Sequence, residues 1–234
     1  KLNIEQTSSE ATAKYKSDLV SGKSLIDLTG GFGIDAYYFS KHANNVTHCE
    51  INAELSELVK HNFKQLETSN IECISESGID VLKRLNKSFD WIYIDPSRRD
   101  DTKQKVFLLS DCTPNIKTFQ NLFLKYSKNV MIKTSPLLDL SATLSDLNNV
   151  KEIHIIAVNN EVKELLWILE RGYENKALVK TVNLQKEIVQ NFDFIFKEEP
   201  NARVKYSLPL TYLYEPNSAL LKSGAFNSIS NRLN

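Results

Sequence analysis

The chain has 234 residues with 29 basic and 29 acidic side chains, so its formal net charge is zero. Hydrophobic residues make up 41% and charged residues 25%, which is typical of a globular protein with one good-sized core. The balanced charge argues against strong unspecific nucleic-acid binding, and no apolar run is long enough for a membrane span or a signal peptide. We therefore expect a cytoplasmic protein without membrane contact.

The cysteines and histidines give no sign of a metal site. Cys49, Cys73 and Cys112 are isolated along the chain, and the four histidines lack metal-ligand spacing, so we expect reduced thiols and no zinc. The chain starts at Lys1 without a methionine and stops abruptly at Asn234, which predicts a trimmed piece of a longer protein.

Short apolar runs alternate with amphipathic stretches, which predicts an α/β domain with a doubly wound, mainly parallel sheet of seven strands. A first helix over 11–19 should follow Thr7-Ser8-Ser9-Glu10, a match to a capping box with Thr7 at the N-cap. The predicted strands are Ser24–Leu28, Val46–Glu50, Ile71–Ser75, Trp91–Ile94, Val130–Lys133, Ile153–Val158 and Ala177–Val182, the last a candidate for antiparallel pairing. The predicted helices between them are Ile34–Lys41, Ala53–Leu66, Gly78–Leu85, Ile116–Tyr126 and Val162–Leu169.

The pattern divides the chain into three parts. Residues 1–22 form an N-terminal helical segment, 23–188 the main domain, and 189–234 a small C-terminal element. In that element Phe192, Phe194 and Phe196 alternate as in a half-buried strand, and a short helix is predicted over 218–226.

The most informative motif is Asp27-Leu28-Thr29-Gly30-Gly31-Phe32-Gly33, where a strand ends at an acid, turns through glycines and opens a helix. Glycines let the backbone turn tightly beside a ligand, and open α/β sheets bind ligands at this edge. The loop matches both the dinucleotide pattern and the methyltransferase pattern, acid-x-x-x-Gly-x-Gly. Asp27 suits the ammonium of a methionine moiety, and Asp35 would repel a pyrophosphate at the helix N-terminus, so the charges favour S-adenosylmethionine (SAM).

Two further strand ends complete the candidate cofactor site. Glu50 ends the second predicted strand and can accept both ribose hydroxyls, with Ile51 beside it. Glu76 and Ser77 follow the third strand, where an adenine edge would be recognised; a solvated turn is the equal alternative for Glu76.

The catalytic candidate is Asp95-Pro96-Ser97-Arg98, directly after the fourth strand. It resembles the Asp/Asn-Pro-Pro-aromatic motif of methyltransferases that modify amino nitrogens, with Ser97 and Arg98 replacing the second proline and the aromatic residue. That resemblance implies that the Asp95 side chain accepts a hydrogen bond from the target amine. Arg98 is a candidate for stacking on a base or pairing with a phosphate or carboxylate. The roles of Arg99 and Lys133 stay open, although Lys133 at a strand end needs an acidic partner such as Asp95, or must reach solvent.

Residues from about Ile4 to Leu184 resemble class I SAM-dependent methyltransferases, and more narrowly a bacterial family with a THUMP-like, ferredoxin-like domain at its C-terminus. The matching pieces are Glu5-Gln6-Thr7-Ser8-Ser9-Glu10, the Asp27–Gly33 loop, Asp95-Pro96-Ser97-Arg98-Arg99, Ile132-Lys133-Thr134-Ser135-Pro136 and Tyr214-Glu215-Pro216-Asn217. The resemblance implies SAM as cofactor, RNA as partner and a C-terminal domain that is cut short here. A weaker resemblance to guanosine N2-methyltransferases implies that Gln6, Ser9 and Tyr15 lie near the donor.

The leading hypothesis is SAM-dependent methylation of an amino nitrogen on an RNA base. A non-catalytic module that binds SAM or RNA is the alternative, and an NAD(P)-dependent oxidoreductase ranks last. The Tyr37/Lys41 pair that an oxidoreductase would need falls on the glycine-loop helix, where it cannot act in that way. The acceptor atom and the oligomeric state stay open.

Overall fold

A computed structural model describes residues 7–98, 109–204, 206–208 and 211–233. The strands are β1 (Gly22–Asp27), β2 (Ala43–Cys49), β3 (Ile71–Ile74), β4 (Phe89–Ile94), β5 (Ser97–Arg98), β6 (Cys112–Thr113), β7 (Ser127–Thr134), β8 (Val150–Val158), β9 (Glu161–Glu170), β10 (Leu178–Leu184) and β11 (Val189–Ile195). The α-helices are α1 (Glu10–Asp18), α2 (Ile34–Phe39), α3 (Ala53–Gln65), α4 (Gly78–Leu85), α5 (Ile116–Tyr126), α6 (Leu140–Asp146), α7 (Ser218–Ser223) and α8 (Phe226–Leu233).

The large sheet has the order β11-β10-β8-β9-β7-β4-β1-β2-β3, and β5 pairs with β6 in a separate two-stranded ribbon. Strands β3, β2, β1, β4 and β7 run parallel to one another. The doubly wound α/β architecture is confirmed, with nine strands in the sheet rather than seven. Because the order changes direction after β1, the ends of β1 and β4 frame a crevice of the kind that binds ligands in this fold class.

Both faces of the sheet are apolar, and each carries its own core. Alternate residues of one strand point to opposite faces, so Leu25 packs with α2 and α3 while Ile26 packs with α4 and α5. The same alternation sends Tyr93 to the first face and Ile94 to the second. Coverage on both faces leaves the carboxyl edge of the parallel strands as the open part of the domain.

The helix predicted over Val162–Leu169 is wrong, because this stretch is strand β9, antiparallel to both β7 and β8. Asn159 and Asn160 form the two-residue turn between β8 and β9, with φ of 49° and 64°. Two consecutive residues with positive φ are the requirement of a type I′ hairpin. The antiparallel strands of the sheet are therefore β9 and β11, whereas β10, the candidate for that role, runs parallel to β8.

The N-terminal helix forms, but Thr7 is not its N-cap. Ser9 caps α1, and its side chain accepts a hydrogen bond from the Thr12 amide at 3.3 Å. Ser8 is instead held in tertiary contacts, donating to Asp35 and accepting from Lys16, and the helix begins at Glu10.

The C-terminal element is partly continuous with the main sheet. Strand β11 pairs along its whole length with β10, so the sheet continues across residue 188. The helix predicted over 218–226 ends at Gly224, which has φ of 72°, and a second helix starts at Phe226. Within the described ranges, no helix is both long and apolar enough to cross a bilayer.

Candidate functional site

A cavity of about 160 Å³ lies at the carboxyl ends of β1 and β4. Its walls are the glycine loop, the start of α2, the end of β4 and the segment before α1. The lining residues are Thr7, Ser8, Asp27, Thr29, Gly30, Gly31, Phe32, Gly33, Ile34, Asp35, Tyr93 and Asp95. Thus the structure brings the predicted glycine loop, Asp35 and Asp95 to one cavity.

The Asp27 carboxyl group is 1% exposed and lies at the floor of this site. Its Oδ1 accepts hydrogen bonds from the Thr29 amide at 3.0 Å and from the Thr29 hydroxyl at 3.4 Å. None of the ion pairs among the described residues includes Asp27. Burial, together with the charges of Asp35 and Asp95, therefore raises the pKa of Asp27 to about 8. A buried carboxyl group with a strongly raised pKa in a cleft is typical of functional sites.

The three glycines of the loop are required by space or by conformation. A Cβ on Gly30 would lie 2.3 Å from Nε2 of His48, a fully buried side chain under the loop. Gly31 has φ of 54°, and among the described residues other than its chain neighbours a Cβ there would meet the Thr29 carbonyl oxygen alone within 4 Å, at 3.7 Å. The loop thus packs closely on β2 and leaves open space on the cavity side. Gly33 provides the left-handed N-cap of α2.

The candidate residues after β2 and β3 lie outside the lining of the cavity. The two carboxylate oxygens of Glu50 accept hydrogen bonds from the Gly31 amide at 2.9 Å and the Asn52 amide at 2.7 Å. Glu50 is therefore tied directly to the glycine loop, with lone pairs left for other donors. Ile51 is 76% exposed.

The residues proposed to contact adenine are more loosely placed. Glu76 forms an ion pair with Arg84 of α4 at 2.8 Å, and Ser77 is the N-cap of α4 without a side-chain hydrogen bond. A Cβ on Gly78 would lie 2.3 Å from the Leu28 carbonyl oxygen, so the start of α4 packs directly on the glycine loop. This contact brings the end of β3 to the same edge as the cavity.

A buried charge cluster forms the wall between α1, α2 and β9. Lys16 is fully buried, and its ammonium donates to both carboxylate oxygens of Glu164 at 2.8 and 2.9 Å. The same ammonium lies 3.2 Å from Oδ1 of Asp35, whose Oδ2 accepts from Tyr93 at 2.7 Å and from Ser8 at 2.9 Å. Asp35 therefore lines the cavity with a carboxylate that is already paired.

Asp95 lines the same cavity as Asp27 and contacts both the glycine loop and strand β7. Its backbone amide donates to the Thr29 hydroxyl at 2.7 Å, and its Oδ2 lies 2.5 Å from the Lys133 ammonium. Of the two alternatives for Lys133, the structure shows the ion pair with Asp95. Burial raises the pKa of Asp95, and the charge of Lys133 opposes that shift.

The rest of the Asp-Pro-Ser-Arg motif leads away from the cavity. Ser97 and Arg98 form β5, which pairs with Cys112 and Thr113 of β6, and Ser97 is exposed. Pro96 is half-buried at the turn before this strand. The Arg98 side chain and Arg99 lie outside the described part of the chain.

The described N-terminal residues implied to lie near the donor are not among those that line the cavity. Ser9 caps α1 and the Tyr15 hydroxyl lies 2.7 Å from Nδ1 of His154 on β8, so neither lines the cavity, and Gln6 lies outside the described residues. Thr7 and Ser8 line it instead.

The sequence interpretation missed the contribution of Lys16, Tyr93 and Glu164 to the site wall. Lys16 and Glu164 are 148 residues apart, and no local pattern signals their pairing. An interior polar residue within an otherwise apolar strand was the available signal for Glu164, but the strand itself was interpreted as a helix.

Comparison with known proteins identifies the fold. A family described as conserved hypothetical protein 95 matches residues 9–152, and a ferredoxin-like domain family matches residues 212–234. A candidate methyltransferase from Porphyromonas gingivalis W83 is 32% identical, with a TM-score of 0.86 over 99% of this chain and 59% of that one. This chain therefore spans about three-fifths of the length of that relative.

A more distant likeness supports the same fold. A methyltransferase from Geobacter sulfurreducens is 12% identical, with a TM-score of 0.50 over 70% of this chain and 81% of that one. A search of curated proteins gives no match. The chain belongs to the conserved hypothetical protein 95 family and has the α/β, Rossmann-like fold of class I methyltransferases.

Proposed function

We propose that this chain binds SAM in the cavity at the glycine loop and transfers its methyl group to an amino nitrogen of an RNA base. The cofactor assignment rests on the position and burial of Asp27. It is a buried carboxyl group without a cation among the described residues, placed at the floor of an open cavity. A carboxylate is costly to bury without a partner, so a cationic ligand group fits there better than a pyrophosphate.

The remaining features of the site fit the same ligand. The space beside Gly31 admits a ligand against the backbone, and Glu50 holds its carboxylate at the end of β2 next to that loop. In the proposal Glu50 and Ile51 take the ribose side, while Glu76 and Ser77 lie toward the adenine. Thr29, Gly30 and Gly33 shape the loop, and Asp35 keeps Tyr93 and the segment before α1 in place.

Asp95 is the proposed acceptor-side residue. SAM supplies a methyl group already activated on a sulfonium, so the protein has mainly to position the target nitrogen, an effect worth up to about 7–11 kcal/mol in favourable cases. The Asp95 carboxylate accepts a hydrogen bond from the target amine, and the Thr29 hydroxyl holds the Asp95 backbone against the donor loop. Pro96 and Ser97 turn the chain out of the site, and Arg98 contacts the base or its phosphate.

RNA as acceptor is the finer part of the proposal. It is supported by the similarity of the Asp95–Arg98 motif to amino-nitrogen methyltransferases and by the ferredoxin-like match at residues 212–234. Fold-level likeness is an association and does not identify a substrate. The acceptor therefore has to be tested separately from the cofactor.

The cofactor is tested by calorimetric titration of the purified chain with SAM and, in parallel, with NADH. We expect binding of SAM alone, lost in Asp27→Ala and strongly weakened in Glu50→Ala. Glu187→Ala serves as the matched control, since Glu187 is an exposed carboxylate between β10 and β11, outside the cavity. Absence of SAM binding contradicts the proposal, and NADH binding would support an oxidoreductase instead.

Methyl transfer is tested with SAM carrying a tritiated methyl group and unmodified transcripts of bacterial ribosomal and transfer RNA. Asp95→Ala should abolish transfer and leave SAM affinity nearly unchanged. Methyl transfer by this variant would show that Asp95 does not hold the target amine. SAM binding without transfer to any RNA or protein acceptor supports the non-catalytic module.

A further inference from the structure

Lys133 is a buried cation that the proposed reaction does not yet use. We propose that Lys133 is a positioning residue for methyl transfer, which holds the Asp95 carboxylate in place and ionised so that it can receive the proton released by the target nitrogen. This inference rests on the proposed function and deepens it. It concerns the acceptor side of the site, not the cofactor.

The geometry follows from two adjacent parallel strands. Ile94 of β4 and Ile132 of β7 are partners in the register, so Asp95, which directly follows β4, lies beside Lys133 near the end of β7. The Lys133 ammonium lies 2.5 Å from Oδ2 of Asp95, and the lysine side chain is only 12% exposed. The lysine thus does not reach solvent freely, while the Asp95 side chain remains 36% exposed, on the cavity wall.

The charges around Asp95 include two lysines, of which Lys133 has the larger effect on the pKa of Asp95. The charge of Asp35 on α2 raises the pKa of Asp95, and the charge of Lys16 on α1 lowers it. The charge of Asp95 in turn raises the pKa of Asp27 on β1 and of the Tyr93 hydroxyl on β4. The charges of Asp95, Asp35 and Glu164 on β9 raise the pKa of Lys133. Lys16 is already paired with Glu164 and Asp35. Among the described side chains, Lys133 is therefore the cation in direct contact with Asp95.

The reaction needs an ionised carboxylate at this point. As the target nitrogen forms its bond to the methyl carbon, the carbon–sulfur bond breaks and its electron pair stays on sulfur. The nitrogen then carries a positive charge and releases an N–H proton, whose bonding pair remains on nitrogen. The Asp95 carboxylate takes that proton and later passes it to water.

Without Lys133 this carboxylate would be protonated more readily. Burial and the charge of Asp35 raise the pKa of Asp95, and Lys133 is the largest influence that lowers it. An opposite charge at this distance typically moves a carboxyl pKa by about 1–3 pH units. A protonated Asp95 can neither accept the target N–H in the same way nor receive the proton.

The first test measures the titration of Asp95 directly by ¹³C NMR of chain labelled at the aspartate carboxyl carbons. Asp95→Asn assigns the resonance. We expect the resonance to titrate at higher pH in Lys133→Met than in the unchanged chain, and Lys133→Arg to restore the original midpoint. Lys133→Gln replaces the methionine variant if that protein does not fold. An unchanged midpoint in the neutral variant overturns the inference, whatever the outcome for methyl transfer.

The second test is the pH dependence of methyl transfer at saturating SAM, with the same unmodified RNA transcripts. In Lys133→Met the acidic limb of the rate profile should move to higher pH, with the rate recovering in alkaline buffer and the SAM affinity unchanged. A rate lowered equally at every pH shows a merely structural role and overturns the inference. If the unchanged chain transfers no methyl group, the proposed function fails and this role fails with it, whereas an unchanged titration rejects Lys133 alone.

Discussion

Asp27→Asn should make the protein more stable while removing SAM binding. In the folded chain the pKa of Asp27 is raised to about 8 from an ordinary value of 3.8, with burial as the main cause. Between these two pH values the folded state keeps the proton and the unfolded state has lost it. The unfolded state then binds fewer protons, so the contribution of Asp27 to stability falls as pH rises.

The size of this stability loss at pH 7 is set by the ordinary pKa of 3.8, because the folded group, with a pKa of about 8, is still protonated at pH 7. The loss is about 1.4 kcal/mol per pH unit. Over the roughly three units from 3.8 to 7 this amounts to about 4 kcal/mol. Asparagine has the same shape, keeps an oxygen for the Thr29 amide and does not ionise, although an unpaired amide donor would offset about 1–3 kcal/mol. We therefore expect a net stabilisation of about 1–3 kcal/mol at pH 7.

The assay is urea unfolding of the unchanged chain and of Asp27→Asn at pH 5, 6, 7 and 8. The stability difference in favour of the variant should grow with pH and level off near pH 8. Glu187→Gln, which removes an exposed carboxylate between β10 and β11, is the matched control and should show no such trend. Parallel stability curves, or a variant less stable at every pH, would refute the reasoning.

The same variant separates a binding role from a structural one. A cationic ligand group favours ionised Asp27, so SAM binding at pH 7 should release a proton, measurable as a buffer-dependent binding enthalpy. Asp27→Asn should lose both the affinity and the proton release. Function can require a group that destabilises the folded state, and a substitution that removes such a group stabilises the protein but reduces its activity.

Two further substitutions test a close backbone contact and a buried ion pair at the site. Gly30→Ala places a Cβ 2.3 Å from Nε2 of His48, so thermal or urea unfolding should show a loss of about 1–3 kcal/mol, with partial recovery in the double variant with His48→Ala. Lys16→Met leaves the buried Glu164 carboxylate without its partner, and we expect a loss of about 3–5 kcal/mol in the same measurement. Adding Glu164→Gln should recover much of that loss; a double variant as unstable as the single one would contradict the pairing.

Local patterns predicted most of the parallel half of the sheet. The helices over Gly78–Leu85 and Ile116–Tyr126 begin and end where the sequence indicates, because an amphipathic period is a local property. Strands at Trp91 and Val130 are longer than predicted but lie where expected.

The prediction failed at β9 for a physical reason. Leu165, Leu166, Trp167, Ile168 and Leu169 are all buried, since β9 lies in the interior of the sheet with apolar layers on both faces. A strand covered on both sides has no alternation of polar and apolar residues, and a continuous apolar run does not distinguish it from a helix. The two asparagines before it carried the better signal.

By itself the sequence determined the class of fold and the chemistry available at the crevice. The glycine loop, the acids at the ends of β1, β2 and β4, and the Asp-Pro turn are local motifs that require particular residues within a few positions. Only the tertiary structure decided which charges meet. Lys16 pairs with Glu164 across 148 residues and Lys133 with Asp95 across 38, while Asp27 is left without a cation among the described residues. Such pairings depend on how distant strands and helices are brought together, and the cost of burying a charge depends on its neighbours in space, which no local pattern records.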